Sequence, residues 1–164
     1  MRKKLVVLLL MAAAAGVAQS SSGYVFFAPG GVSSMGYTSM TLHAGFGVDA
    51  VIAKGIAGNI EIGGLWPRQC FSDCVVGVFS PGGSYHFLHR KDRKLDPFAG
   101  GGYSRIFRDG HVNLYYFGGG LNYWAAKHFG VRAEFRDHVH AERYYSYFGF
   151  VEHYWGFRMG LAIR

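Results

Sequence analysis

Beyond its first twenty residues the chain repeatedly alternates apolar and polar or small side chains at every second position. Thr41 to Asp49 carries Leu42, Ala44, Phe46 and Val48 on one face, and Thr41, His43, Gly45, Gly47 and Asp49 on the other. Asn59 to Trp66 sets Ile60, Ile62 and Trp66 against Asn59, Glu61 and Gly63. Leu114 to Trp124 places Tyr115, Phe117, Leu121 and Tyr123 opposite Gly118, Gly120 and Asn122. In Gly130 to His138 the sets are Val131, Ala133, Phe135 and Asp137 against Arg132, Glu134, Arg136 and His138. From His153 onward Trp155, Phe157, Met159, Leu161 and Ile163 alternate with Tyr154, Gly156, Arg158, Gly160, Ala162 and Arg164. A period of two belongs to extended strands with two unlike faces. Helical periodicity is poor throughout.

Eight such segments are expected: Gly23 to Ala28, Met40 to Ile52, Gly58 to Trp66, Val75 to Phe87, Pro97 to Phe107, Asn113 to Trp124, Gly130 to His138 and His153 to Arg164. Pro81-Gly82-Gly83 inside the fourth predicts a bulge or bend. An even count puts both ends of the chain on one side, with turns there near Lys54-Gly55, Arg90 to Lys94 and Ala125 to His128. The opposite side then receives Pro29 to Ser39, Arg68 to Cys74, Arg108 to His111 and His140 to Glu152.

Met1 to Ala18 does not fit this pattern. Arg2, Lys3 and Lys4 precede an apolar run from Leu5 to Ala15 and the small residues Gly16-Val17-Ala18, the build of a secretory signal. The apolar run is shorter than the ~20 residues a spanning helix needs. The expected domain is therefore 19–164. Of 17 basic and 10 acidic residues in the chain, three basic ones belong to the leader, leaving 14 against 10. So mild an excess argues against a nucleic-acid partner, which calls for a basic stripe. The surviving run His89 to Lys94 reads as a solvated turn between strands.

Composition decides which strand face looks outward. Only 16% of residues are charged, against about 25% in an ordinary soluble domain, while 17% are aromatic and 25 are glycine. A soluble sandwich or lipocalin-like barrel would turn its apolar face inward; a membrane barrel reverses this. The glycine-rich polar faces carrying both charge signs suit a narrow lumen. Trp66, Tyr123, Trp124, Tyr154 and Trp155 at the strand ends suit interfacial girdles. The expected fold is all-β, an eight-stranded antiparallel up-and-down transmembrane β-barrel.

Export places Cys70 and Cys74 in an oxidising compartment with no competing thiol. A disulfide closing a loop tip is the preferred reading, with two free thiols as the alternative; two cysteines alone are too few for a metal centre. The main candidate site is a lumen salt-bridge network of Glu61, Arg132, Glu134, Arg136 and Arg158, joined less securely by Asp49 and His43. Charges in so narrow an interior must pair. The same residues could instead line a narrow, low-conductance pore. His138, His140 and Glu142, with His153 across the loop, have a spacing that could hold zinc, although strand-end polar residues explain them equally; no metal or other cofactor is expected. Ser146 with His138 or His153 and Glu152 can be imagined as a hydrolytic set, but its spacing is not distinctive. No catalysis is expected.

Several stretches carry a resemblance: Gly83-Ser84-Tyr85-His86-Phe87, Asp96-Pro97-Phe98-Ala99-Gly100-Gly101-Gly102-Tyr103, Phe117 to Trp124, Gly130-Val131-Arg132-Ala133-Glu134-Phe135-Arg136-Asp137 and Phe157 to Arg164. Across nearly the whole mature chain it resembles the small OmpA-like outer-membrane β-barrel proteins of Gram-negative bacteria. That resemblance implies a monomer in the bacterial outer membrane with a structural or surface-interaction role. Outer-membrane lipid, lipopolysaccharide and the outer-membrane assembly machinery are the implied partners. A lipid A-modifying enzyme is the least favoured alternative. The family usually closes on an aromatic residue, whereas this chain closes on Ile163-Arg164.

Overall fold

A computed structural model describes residues 21–34, 36–67, 75–88, 94–108, 110–144 and 148–164, with no side-chain description over 141–150. The expected leader, Cys70 and Cys74, and Ser146 lie outside the described residues. Eight strands follow in chain order: β1 (Ser22–Ser34), β2 (Tyr37–Ala53), β3 (Ile56–Pro67), β4 (Val76–His86), β5 (Leu95–Phe107), β6 (His111–Trp124), β7 (Phe129–Tyr144) and β8 (Phe148–Ile163). Each pairs antiparallel with the next, and β1 pairs with β8 to close the barrel. Closure leaves no strand edge unpaired, which an apolar solvent requires of a sheet.

Register fixes which face looks inward, because a slip of one residue would turn every side chain to the other side. The pairing Glu134↔Arg158 on β7 and β8, with Glu61 inward on β3, brings the charged positions into the lumen. Phe46, Ile60, Phe117, Phe157, Met159 and Leu161 are all exposed on the outer wall. The molecule is thus polar inside and apolar outside, as expected of a transmembrane barrel.

Three expectations need correction. Pro29 to Ser34 and His140 to Tyr144 are strand, not loop, and β8 begins at Phe148. Strands of 16 residues exceed the 9 to 11 that cross a bilayer, so β7 and β8 carry the wall beyond it. Pro81 produces no bulge. Pairing of β4 with β5 lapses only between Phe79↔Arg105 and Gly82↔Gly102, and resumes in the same register. Proline removes one ladder donor, and its neighbour on β3, Ile60, stays paired with it. The register shift lies instead between Val51 and Ala53, beside the tight turn where Lys54 and Gly55 both have positive φ. Finally, Trp124 and Tyr154 point into the barrel. Tyr123 and Trp124, like Tyr154 and Trp155, are adjacent in a strand, so only one of each pair can join an outer girdle.

Candidate functional site

The lumen is crossed by three arginines and three carboxylates. Arg132 and Arg136 flank Glu134 on β7, two residues away on either side, so all three side chains enter the lumen together. Glu134 accepts from Arg132 Nε at 3.1 Å, from Arg136 Nε at 2.6 Å and from Arg158 Nη1 at 3.3 Å. Glu61, from β3, lies 3.2 Å from Arg136 Nη1 and 2.6 Å from Arg158 Nη2. Arg132 Nη1 reaches Asp49 Oδ2 on β2 at 2.6 Å. All six groups are buried and their formal charges cancel. The five residues expected from sequence are therefore contiguous, and Asp49 completes them. His43 lies apart, its ring edge-on to Phe26 at 4.9 Å.

Sequence reasoning missed the aromatic layer that holds the arginines. Arg132 lies between the rings of Tyr24 and Phe98, 4.2 and 4.0 Å from their centroids. Arg136 stacks over Tyr116 at 4.3 Å and Arg158 over Phe26 at 3.6 Å. A guanidinium shed of water gains most from such faces. Tyr24 also donates its hydroxyl to Glu61 Oε2 at 3.0 Å, and Tyr116 to Asn59 Oδ1 at 2.8 Å. Glycine makes the space. A Cβ at Gly47 would meet the Tyr24 ring at 2.6 Å, and one at Gly82 would collide with the Tyr116 hydroxyl. The alternation itself was the available signal, since Tyr24, Phe26, Phe98 and Tyr116 all stand in strands on the face opposite exposed apolar residues.

Toward the end of the barrel that bears the termini, a smaller cluster joins His86 Nδ1 to Asp96 Oδ2 at 2.8 Å, with Asn122 Nδ2 donating to the same oxygen at 3.2 Å. Beside Glu61, whose register partner is Ser80, Ser80 and Ser104 share a hydrogen bond at 2.6 Å, both fully buried, where β4 and β5 lose their ladder pairing. Above the arginines, on the side of the long strands, a small open recess is bordered by Thr41, His43, Leu65, His138 and Tyr154.

Of the histidines in the other candidate sets, His138 and His153 lie on opposite faces of the wall. His138 turns inward toward the Tyr154 carbonyl, whereas His153 is on the outer wall, 2.7 Å from Asp137. Glu152 faces the opposite side of β8 from His153 and accepts from the Tyr154 hydroxyl at 3.1 Å. His138 and His153 therefore cannot serve one metal centre, and Ser146 and the Glu142 side chain, which the two candidate sets also need, lie outside the described residues. Among the described residues no three His, Cys, Asp or Glu side chains are grouped to hold a metal ion.

No known family model matches the chain, and no curated protein sequence does. Solved structures do match. Neisserial surface protein A superimposes with a TM-score of 0.65 at 10% identity, covering 88% of this chain and 96% of that one. The N-terminal β-barrel domain of Pseudomonas aeruginosa OprF gives 0.61 at 15% identity, with coverage of 88% and 96%. A de novo designed barrel, TMB2.3, gives 0.51 at 15% identity, with coverage of 88% and 93%. At these identities the likeness is one of fold: the chain is a closed eight-stranded barrel of the outer-membrane type. A designed chain shares that shape, so function must be argued from the residues.

Proposed function

We propose that this chain is a monomeric barrel of the bacterial outer membrane with a structural or surface-interaction role and no catalysis. The observation that supports this most directly is the lumen network: six buried charges and four aromatic rings fill the interior and leave no net charge to attract a transported ion. An eight-stranded interior is just wide enough for side chains to fill. Its wall would contact outer-membrane lipid and lipopolysaccharide, and its insertion would use the outer-membrane assembly machinery. Nucleic acid has no part in this reading.

The test is gel migration in SDS, with and without boiling, after refolding into detergent. A heat-dependent shift accompanied by β-type circular dichroism is expected. A chain that folds in buffer without detergent would overturn the reading. Release of fatty acid from lipid A by the refolded protein, seen by mass spectrometry, would overturn the absence of catalysis.

A further inference from the structure

On the outer wall of β5 and β6 the polarity changes at one register pair, Arg105↔Asn113. Below it every outward residue, from Leu95 to Tyr103 on β5 and from Tyr123 to Tyr115 on β6, is apolar, glycine or tyrosine. Arg105 lies ten residues along β5 from Leu95 at the base. At ~3.3 Å per residue and a tilt of ~40°, that is about 25 Å up the wall, the full height of the apolar band. The pair therefore stands where lipid tails give way to headgroups, on the side away from the termini. An arginine is tolerated at that height, because the penalty for a lipid-facing charge fades toward the interface.

The donors at this pair are unspent. Arg105 is exposed, and its guanidinium has no partner among the described residues. Asn113 Oδ1 accepts from the Tyr103 hydroxyl, which fixes the amide and leaves its Nδ2 protons free. Tyr103 packs edge-on against Tyr115 with ring centroids 6.3 Å apart, so the floor beneath the donors is aromatic. Phe107, the next outward residue on β5, leans away from β6 to cover Gly77 of β4. Acidic groups lie elsewhere. Among the described side chains the outward carboxylate is Asp137, held by His153 and paired in register with Phe117, four residues below Asn113 on β6. Phe79, the partner of Arg105 on β4, and His111, one step above Asn113, bring no negative charge. A planar guanidinium fork beside a fixed amide donor, with no carboxylate opposing it, is a receptor for the oxygens of a phosphate.

We propose that Arg105 and Asn113 form a binding site for the phosphate of an outer-leaflet lipid headgroup. The guanidinium is the charged donor, the Asn113 amide the second donor, and Tyr103 the positioning residue that holds that amide. Tyr103 and Tyr115 then meet the start of the acyl chains, which commits the site to a lipid over free phosphate. The proposal rests on the outer-membrane reading above and names a site for its lipid partner. Its test is native mass spectrometry of the detergent-refolded protein, first shown to be folded by its heat-dependent gel shift, after exposure to equal amounts of bisphosphorylated lipid A and the same lipid stripped of both phosphates. Wild type should retain the phosphorylated form roughly tenfold over the other, the size of one charge-assisted hydrogen bond. That preference should persist when the exposure is made in excess inorganic phosphate. Arg105→Gln should abolish it, and Tyr103→Phe should reduce it. Arg105→Lys keeps the charge but loses the fork, and should retain only part of it. Lys54→Gln removes the same charge from the turn at the opposite end and should leave the preference intact. Equal retention by wild type, an undiminished preference in folded Arg105→Gln, or an equal drop in Lys54→Gln would overturn the site while leaving the barrel reading intact. Displacement of the lipid by inorganic phosphate would overturn its assignment to a lipid. A protein that never shows the gel shift would instead count against the barrel reading.

Discussion

Arg132 and Asp49 meet across the lumen at 2.6 Å, although 83 residues separate them and β8 and β1 stand between their strands in the wall. This contact can form only after the barrel closes, so it ties closure to charge neutralisation. Breaking one side of a buried pair strands the other charge and costs about 3 to 5 kcal/mol. Asp49→Asn should lower the unfolding free energy in detergent toward that range. The double variant Arg132→Met, Asp49→Leu should be less destabilised than the two single changes sum to. A urea double-mutant cycle measures this, and a coupling near zero would show that the 2.6 Å contact contributes nothing to the folded state.

Room for the arginine-stacking rings is the second prediction. A methyl group at Gly47 would occupy the position of the Tyr24 ring, which both stacks on Arg132 and donates to Glu61. Gly47→Ala should destabilise by about 1 to 3 kcal/mol, the usual range for overpacking. In a Tyr24→Ala background the same change should be nearly neutral. Gly58→Ala is the control, because its Cβ would find only Ile52 Cδ1 at 3.6 Å. If Gly47→Ala and Gly58→Ala unfold at the same urea concentration, the glycine is not there to admit the ring.

Much of this was legible in the sequence because side-chain alternation carries face and burial together. The run Arg132-Ala133-Glu134-Phe135-Arg136 puts three charges on one face whatever the rest of the fold does. Asp49 was harder to place, since its partner Arg132 lies in a distant strand and is set only by closure. The aromatic stacks were missed for a related reason: Tyr24, Val25, Phe26 and Phe27 form an unbroken apolar run, and only parity relative to the outward Val25 and Phe27 turns Tyr24 and Phe26 inward. Strand ends were misjudged at Pro29 and His140, where proline and polar residues ordinarily signal loops. Within a wall that rises past the bilayer, polar outward positions are no longer penalised, so composition stops marking where a strand ends.

The apolar wall yields a test independent of the lumen. Met159 lies on the outer face of β8, between Trp155 near the top and Ile163 at the base, and is 62% exposed. In a bilayer, Met159→Arg should cost about 2 to 4 kcal/mol, as charge near the midplane of such barrels does. On a water-facing surface the same change would fall within about 0.5 kcal/mol. Urea unfolding in liposomes distinguishes these, with Met159→Leu as the size control.

The lumen network also sets what the barrel can conduct. Arg136 bonds both Glu61 and Glu134 and stacks on Tyr116, as Arg158 does with the same two glutamates and Phe26. With it in place the interior is neutral and filled, and wild type in a planar bilayer should show no steady current above the lipid background. Arg136→Ala removes a bulky side chain and leaves three carboxylates facing two arginines. Water should enter to solvate the excess negative charge, because a buried unpaired carboxylate is otherwise too costly to keep. The variant should therefore show small, cation-selective openings, provided its gel shift confirms that it folds. Arg136→Lys keeps the charge but loses the planar fork that reaches both glutamates, and should give an intermediate current. A steady current through wild type would mean that the ion pairs open readily, and would favour the narrow-pore reading over a sealed structural barrel.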